Sequence, residues 1–325
     1  MVDVLEIKNF KSIKELKLEC KRINVFIGRP NVGKSNILET LGLLSYAGFS
    51  RYHGHIRDFV RLERIGNLFY DERLGSAVEV NWDRNPTTLE FENGSFRLDS
   101  FGKDRQWGAE FRGDHSSLNL QATTGKGPPQ TFKYYRFKVA SQFNRVEAEF
   151  LLPPSGENLM SLLLAQGELR STANDFFSPV GLRLGLRPQE NKIELIKQFE
   201  DIIVSYPYHL ASETLQRLVF HMAAILTNRD SVLVFEEPEA HAFPFYTKYL
   251  AEEIALDEGG NQYFISTHNP YFLLPLLEKT PMSDLSVLLT YFEDYQTKVK
   301  PLSQDQFQQL TDVDVFFNID ALLEG

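Results

Sequence analysis

The feature that most constrains this chain is the octapeptide Gly28–Ser35, which reads Gly-Arg-Pro-Asn-Val-Gly-Lys-Ser. It matches the pattern G-x-x-x-x-G-K-[ST], with the apolar run Ile23–Ile27 before it and the helically spaced segment Asn36–Leu44 after it. Glycines in such a loop let backbone N–H groups face phosphate oxygens, the lysine adds a point charge, and the serine hydroxyl ligates Mg²⁺. The sequence therefore predicts a site for ATP or GTP. The candidate nucleotide-binding residues are Gly28, Arg29, Pro30, Asn31, Val32, Gly33, Lys34, Ser35 and Asn36.

An apolar strand that ends in two acids forms the second candidate site. The run Ser231–Phe235 is followed by Glu236-Glu237-Pro238, and proline ends a strand because it cannot continue the ladder. Acids at the end of a buried strand are typical of the group that holds Mg²⁺ beside a phosphate loop. We expect Ser35 and Glu236 to hold Mg²⁺, Glu236 directly or through water. We expect Glu237 to act as the base that activates the attacking water. The alternative is a charged strand cap.

The bulk composition argues against membrane, disulfide-rich and disordered classes. The chain has 325 residues, of which 42% are hydrophobic and 24% charged, enough for a sizeable core. Cys20 is the only cysteine, and no apolar run reaches the roughly 18 residues that a membrane helix needs. The N-terminus carries acids where a signal peptide is basic, so we expect a cytoplasmic protein. A net charge of −10 disfavours uniform attraction to nucleic acid.

Patterning divides the chain into three regions. Residues 77–152 alternate apolar and polar positions, including Glu147–Leu151, and Asn93-Gly94 is the sharpest hairpin signal; they predict an antiparallel meander. Residues 157–227 predict helices, among them Ile193–Phe199 and Leu215–Leu226. The remainder predicts a helix over Phe243–Ile254, a strand over Gln262–Ser266 and a hairpin within residues 285–302.

The order of these motifs resembles the AAA-named ATPases of the ABC/SMC/RecF/OLD group. The resemblance rests on these segments: Asn9–Ile13, Gly28–Glu39, Ser155–Leu159, Phe235–His241 and Ile265–Pro270. It implies an α/β fold, an ABC-type P-loop NTPase head with a mixed central sheet, an antiparallel β-meander and a short helical subdomain. One composite domain would contain an N-terminal lobe (residues 1–152), a helical subdomain (153–210) and the remaining site elements (211–325).

The resemblance also implies ATP and Mg²⁺ as cofactors and adds three candidate residues. His268 would contact the γ-phosphate and sense its loss, although a strand-end histidine with a local bond is the plain alternative. Ser212 would cap a helix that meets the γ-phosphate of a partner subunit in trans, but Glu213-Thr214 stands where the family has its glycine. Gln142 is the candidate for the Q-loop glutamine, against an exposed strand glutamine.

The sequence does not predict two domains that some members of this group carry, a long coiled coil and a C-terminal nuclease domain. Residues 153–210 are too short and too interrupted by proline and glycine for a long coiled coil. About 57 residues follow His268, too few for a C-terminal nuclease domain, so Asp312-Val313-Asp314 is interpreted as a surface acidic loop.

Three functions remain open at this stage. The first is an ATP-gated homodimeric switch that controls a separate effector, such as a nuclease or toxin, in prokaryotic defence against phage or plasmids. The second is a RecF-like DNA-binding repair ATPase, for which Lys133–Lys138 interleaves basic and aromatic residues. The third is a nucleotide-dependent scaffold with negligible hydrolysis, which the altered 211–217 segment would favour. Nucleic acid is a possible partner that the charge does not indicate, and no membrane partner is expected.

Overall fold

Three strands and one long helix surround the phosphate loop, and the sequence predicts the strand directly before it and the helix after it. The computed structural model describes residues 1–50, 52, 55–102, 105–112, 119–124, 130–303, 305–307 and 322. Its first elements are β1 (Val4–Phe10), β2 (Ile13–Glu19), β3 (Ile23–Ile27) and α1 (Lys34–Phe49). Every residue of β3 is buried because neighbours cover both of its faces, which explains the unbroken apolar run.

A seven-stranded antiparallel sheet contains the predicted meander. Its strand order is β2-β1-β4-β5-β6-β7-β8. The new strands are β4 (Val78–Trp82), β5 (Asn85–Glu92), β6 (Ser95–Gly102), β7 (Arg105–Arg112) and β8 (Asn119–Thr124). Asn93 and Gly94 join β5 to β6 with φ angles of 51° and 77°, the left-handed pair that a tight hairpin requires. The glycine-containing segments Gly113-Asp114 and Gly125–Pro129, which also interrupt the alternating pattern of the sequence, lie outside the described residues.

The region after the meander contains more strand than the sequence predicts. Its elements are β9 (Phe132–Tyr135), α2 (Leu159–Ala165), α3 (Gly167–Phe177), β10 (Arg183–Arg187), β11 (Lys192–Phe199) and β12 (Ile202–Pro207). The helix predicted over Ile193–Phe199 is wrong, because this segment is β11, the middle strand of a three-stranded antiparallel sheet. Ile193 and Leu195 alternate into the core, and Asn191 supplies the positive φ of the turn before them.

The strand predicted over Glu147–Leu151 is also wrong. This segment belongs to none of the described strands, and side chains bond part of its backbone instead. The Leu151 N–H donates to Thr227 Oγ1 (2.9 Å), and the Phe150 carbonyl accepts from Asn158 Nδ2 (2.9 Å). An alternating pattern was therefore not enough to place a strand in a sheet.

The last part of the described chain follows the predicted order. Its elements are α4 (Glu213–Thr227), β13 (Val232–Glu236), α5 (Pro244–Ala255), β14 (Gln262–Ser266), α6 (Pro270–Lys279), β15 (Leu285–Glu293) and β16 (Gln296–Pro301). The predicted helix over Leu215–Leu226 lies within α4, and β15 with β16 form the predicted hairpin. None of the helices in the described residues is long and apolar enough to cross a membrane.

A six-stranded central sheet brings these elements to one edge. Its order is β16-β15-β3-β14-β13-β9, and all neighbours are parallel except β15 with β16. Alternate residues along its strands enter two cores: Val25 and Phe235 contribute to the core shared with α4–α6, whereas Phe26 and Val234 contribute to the core shared with α1 and the meander. The loops after β3, β9, β13 and β14 therefore meet at the carboxyl edge, where open parallel sheets bind ligands.

Candidate nucleotide site

A cavity of about 650 Å³ lies at the carboxyl edge of the central sheet. Lys34 and Ser35 of the phosphate loop line it together with Glu236 and Glu237, so the structure brings the two predicted constellations together. The end of β9 and one face of α4 complete the wall. This volume lies within the range of small-molecule sites.

The phosphate loop has the backbone geometry that its glycines were expected to supply. Gly28 and Gly33 have φ angles of 146° and 101°, which other residues adopt only with strain. A Cβ atom at Gly28 would lie 2.2 Å from the Thr290 carbonyl oxygen, and one at Gly33 would lie 1.9 Å from Thr297 Oγ1. Both glycines are therefore required by close approach as well as by conformation.

Lys34 extends along this loop. Its Nζ donates to the carbonyl oxygens of Gly28 (2.8 Å) and Arg29 (2.9 Å). Burial lowers the pKa of Lys34, while the charges of Glu237 and Glu236 oppose that shift. The two carboxylates are therefore close enough to Lys34 to stabilise its charged form.

A hydrogen-bonded chain from the C-terminal hairpin supports the loop, and the sequence reading did not find it. Thr297 Oγ1 donates to the Val32 carbonyl (2.9 Å) and lies 2.7 Å from Ser12 Oγ, which accepts from Asn36 Nδ2 (2.6 Å). Because the Thr297 proton goes to Val32, the Ser12 hydroxyl donates to Thr297. Asn36, a candidate nucleotide residue, thus uses its amide to hold the loop.

Glu236 is held between two donors. Its Oε1 lies 3.0 Å from Arg61 Nη2, and its Oε2 accepts from the Tyr134 hydroxyl at 3.1 Å. A carboxylate offers about four lone-pair sites, so two remain for a metal ion or its water. The Ser35 hydroxyl has no hydrogen-bond partner among the described residues. Both groups are oxygen donors, the class that Mg²⁺ prefers, and they fit the predicted role.

Arg61 is itself positioned by a buried acid. Glu39 of α1 is fully buried; its Oε1 accepts from Arg61 Nε (2.6 Å), and Lys11 binds its other oxygen. Burial lowers the pKa of Lys11, and the adjacent Glu39 opposes the shift. Lys11 and Glu39 belong to the segments that carry the family resemblance, but their link to Arg61 was not predicted.

Glu237 and His268, the predicted base and the predicted phosphate sensor, lie together. Glu237 Oε1 is 3.1 Å from His268 Nδ1, and both side chains are well exposed, at 41% and 62%. Glu237 directly follows β13 with a φ of 45°, and its N–H donates to the Ser266 carbonyl (3.0 Å). That bond joins the ends of two neighbouring strands and thereby sets the distance between the two side chains.

A buried acid ties the same two strand ends together. Glu239, which is 3% exposed, accepts a hydrogen bond from the Thr267 hydroxyl. The Asn269 N–H in turn donates to Thr267 Oγ1 (3.0 Å). The second carboxylate oxygen of Glu239, Oε2, has no hydrogen-bond partner among the described residues. The sequence analysis assigned no role to Glu239.

The structure places the signature and Q-loop candidates outside the cavity wall. Ser212 occupies the predicted N-cap position of α4, but its side chain makes no capping hydrogen bond. Glu213 is balanced by Arg217, whose Nη2 lies 2.8 Å from its Oε1. Gln142 is exposed and does not line the cavity, whereas Arg136 and Phe137, at the end of β9, do.

Two further expectations have different outcomes. The first half of the basic and aromatic segment offered as a nucleic-acid surface is buried: Lys133 is 4% exposed, Tyr134 0% and Tyr135 2%, because they belong to β9 of the central sheet. Arg136 and Phe137 line the cavity and Lys138 is exposed, so the segment does not form one continuous exposed surface. The acidic segment Asp312-Val313-Asp314 lies outside the described residues.

Comparisons with known proteins find ATPase-type domains in two parts of the chain. The model of an AAA ATPase domain matches residues 1–99, and that of an AAA domain described as a putative AbiEii toxin of a Type IV TA system matches residues 174–274. An uncharacterized protein of Methanocaldococcus jannaschii is 37% identical over 108 residues, 30% of this chain. The chain matches about half, 49%, of the length of that curated relative.

Solved SMC heads share the fold. The SmcHead bound to the C-winged helix domain of ScpA has a TM-score of 0.53 and 14% identity, with 95% of this chain and 99% of that chain covered. The Smc head domain with an extended coiled coil bound to the C-terminal domain of ScpA, derived from Pyrococcus furiosus, has a TM-score of 0.54 and 13% identity, with 96% and 98% covered. These likenesses confirm the predicted ATPase-head architecture.

Proposed function

We propose that this chain, an AAA-named ATPase of the ABC/SMC-like group, binds ATP and hydrolyses it slowly as a dimeric switch. The observation that carries the proposal is Glu237, which lines the same cavity as the phosphate loop and pairs with His268 just outside the lining (3.1 Å). A base and a phosphate-contacting group on neighbouring strand ends suit attack of water on a bound γ-phosphate.

Each residue of the cavity then has a defined task. The backbone of the loop and Lys34 bind the phosphates, and Glu237 takes the proton of the attacking water through the oxygen that now faces His268. His268 orients that carboxylate and meets the γ-phosphate. Mg²⁺, held by Ser35 and Glu236, would neutralise charge on the phosphate oxygens.

Replacing Glu237 tests hydrolysis directly. Glu237→Gln keeps the size and hydrogen-bonding reach of the side chain but removes the base, so phosphate release from ATP should fall by about two orders of magnitude or more. ATP affinity should be retained. Glu258→Gln, which changes an exposed acid after α5, is the matched control and should hydrolyse ATP at the wild-type rate. Equal rates in wild type and Glu237→Gln would refute catalysis at this site.

Dimerisation is supported by what surrounds the cavity. Exposed aromatic residues follow β13 and β14 near their carboxyl ends: Phe243 is 69%, Phe245 65% and Tyr271 59% exposed. Exposed aromatic side chains are enriched at protein interfaces. The start of α4 is tied to the same region, because Thr214 Oγ1 donates to the His241 carbonyl (2.7 Å). A partner subunit meeting this face would place its own α4 near the bound phosphates.

The proposed switch would control a separate effector protein, such as a nuclease or toxin. Slow turnover suits a switch, because the ATP-bound state must persist long enough to be sensed. One matching family is described as a putative toxin of a Type IV TA system, which supports a role in toxin–antitoxin or defence systems. Co-expression with the product of an adjacent nuclease or toxin gene, followed by pull-down with ATP and with ADP, tests it. If the effector were recovered equally with ATP and ADP, or were not recovered at all, control of the effector by this ATPase would be contradicted.

The DNA-repair alternative has a simple test. ATP hydrolysis measured with and without duplex DNA should give the same rate, because Lys133 and its aromatic neighbours, which motivated that alternative, are buried. Strong stimulation by DNA would favour the repair reading over the switch.

A further inference from the structure

We propose that Arg136 binds the γ-phosphate of ATP from within the same chain and lets the site distinguish ATP from ADP. The inference rests on the proposed function and adds a residue to it. Arg136 lies at the carboxyl edge of the central sheet, directly after β9, and lines the cavity. The register pairs Tyr135 with Phe235, so the next residues, Arg136 and Glu236, lie at the same edge of the sheet, and both line the cavity.

Each of the other cationic side chains of the cavity has partners within the protein, and Lys34 also has a task in the proposed function. Lys34 donates to two loop carbonyls, Arg61 pairs with Glu39 and Glu236, and Arg217 pairs with Glu213. Arg217 also lies over the Phe137 ring at 4.8 Å from its centroid. Among the described residues that line the cavity, Arg136 is the guanidinium with neither a hydrogen bond nor an ion pair from its side chain.

The backbone around Arg136 is fixed. Its N–H donates to the Pro154 carbonyl at 2.8 Å. Before it, the buried Tyr135 donates from its hydroxyl to the Leu151 carbonyl (2.5 Å); after it, Phe137 packs edge-on against Phe220 at 5.6 Å. The guanidinium is thus presented from an anchored segment, and a half-buried arginine held in this way has lost part of its conformational freedom before a ligand arrives.

The chemistry of the wall identifies the ligand group. A guanidinium carries five donors in a planar fork that matches two phosphate oxygens, and it stays charged at every relevant pH. Glu236 and Glu237 contribute two carboxylates to the cavity in which the proposed function places the phosphates. A cation in the same wall offsets their repulsion of a bound terminal phosphate, and Arg136 is placed to add to the charge of Mg²⁺ there. Because ADP lacks that phosphate, the contact would strengthen ATP binding selectively.

Nucleotide affinity tests this selectivity. Dissociation constants for ATP and ADP, both with Mg²⁺, are measured by calorimetry for wild type, Arg136→Gln and Arg136→Lys. ATP affinity should fall about tenfold or more in Arg136→Gln, the loss expected for a charged hydrogen bond, with ADP affinity changed less than about twofold. Arg136→Lys should lie between. Arg183→Gln, at an exposed arginine of β10, is the matched control, and circular dichroism checks folding.

The outcomes separate this inference from the proposed function. Equal loss of ATP and ADP affinity in Arg136→Gln, or no loss of either, would overturn the inference while ATP binding by the wild type still stands. A wild-type chain that binds neither nucleotide would refute the proposed function and the inference together. A variant that loses its circular-dichroism signal is replaced by Arg136→Lys, for which a wild-type ratio of ATP to ADP affinity contradicts the proposal.

Discussion

Glu239 shows how a single residue can make the stability of this fold depend on pH. It is 3% exposed, and burial raises its pKa from 4.5 to about 7; the Thr267 hydrogen bond and the charge of His268 oppose the shift, and Glu237 adds to it. Between those two values the folded carboxyl keeps a proton that the unfolded chain has released. Stability contributed by this group is therefore present at low pH and lost as pH rises through the window.

Glu239→Gln should remove that dependence. The amide oxygen of the variant can still accept the hydrogen bond from Thr267, but the amide cannot ionise. As pH rises from 4.5 to 8, the free energy of unfolding of the variant should therefore increase relative to that of the wild type, by at most about 3 kcal/mol. Urea unfolding at several pH values measures the difference. Taking the difference between the two proteins cancels other groups, including the buried His221, whose lowered pKa gives the opposite slope below pH 6.5. If the free energy of unfolding of the two proteins changed with pH in parallel, Glu239 would be ionised in the folded protein.

The hairpin of β15 and β16 is an element on which the phosphate loop depends. Thr297, in β16, holds the Val32 carbonyl, and Thr290, in β15, packs on Gly28. Thr297→Val removes the hydroxyl at nearly constant volume, so the loop loses one support and ATP affinity should fall about two- to tenfold. Thr297→Ser keeps the hydroxyl and should bind ATP nearly as the wild type does. Equal affinities for the Val and Ser variants, measured by calorimetry, would contradict this role.

The elements that the sequence predicts correctly have local signals. The phosphate loop, the Asn93-Gly94 hairpin and the acids after β13 are each specified within about ten residues. The errors have local causes too, because the apolar positions of Ile193–Phe199 fit both a helical and a strand period.

Long-range contacts of the site were beyond such signals. The bond between Arg61 and Glu236 spans 175 residues, and that from Thr297 to Val32 spans 265. No local sequence pattern indicates either of these two contacts, so only the order of the strands in the folded sheets reveals them. The same holds for Arg136, because only the sheet order shows that β9 lies next to β13.

At the scale of the whole molecule, the proposal requires two copies to close over ATP. Glu237→Gln should stop hydrolysis and therefore accumulate the ATP-bound form, which should elute as a dimer in gel filtration with light scattering. The same variant with ADP should remain monomeric, because the terminal phosphate is what each copy would hold for the other. A monomer under both conditions would refute the sandwich for the isolated chain.

A second substitution in that background locates the surface that closes. Phe243→Asp places a charge on an aromatic residue that follows β13 and is 69% exposed, so burying it in an interface becomes costly and the ATP dimer should dissociate. Phe199→Asp is the matched control, since Phe199 is 62% exposed at the end of β11, in a different sheet. If Phe199→Asp disrupts the dimer and Phe243→Asp does not, the copies associate through the three-stranded sheet. The cavity would then be completed within one chain, which would make Arg136 rather than a partner's helix the group that meets the γ-phosphate.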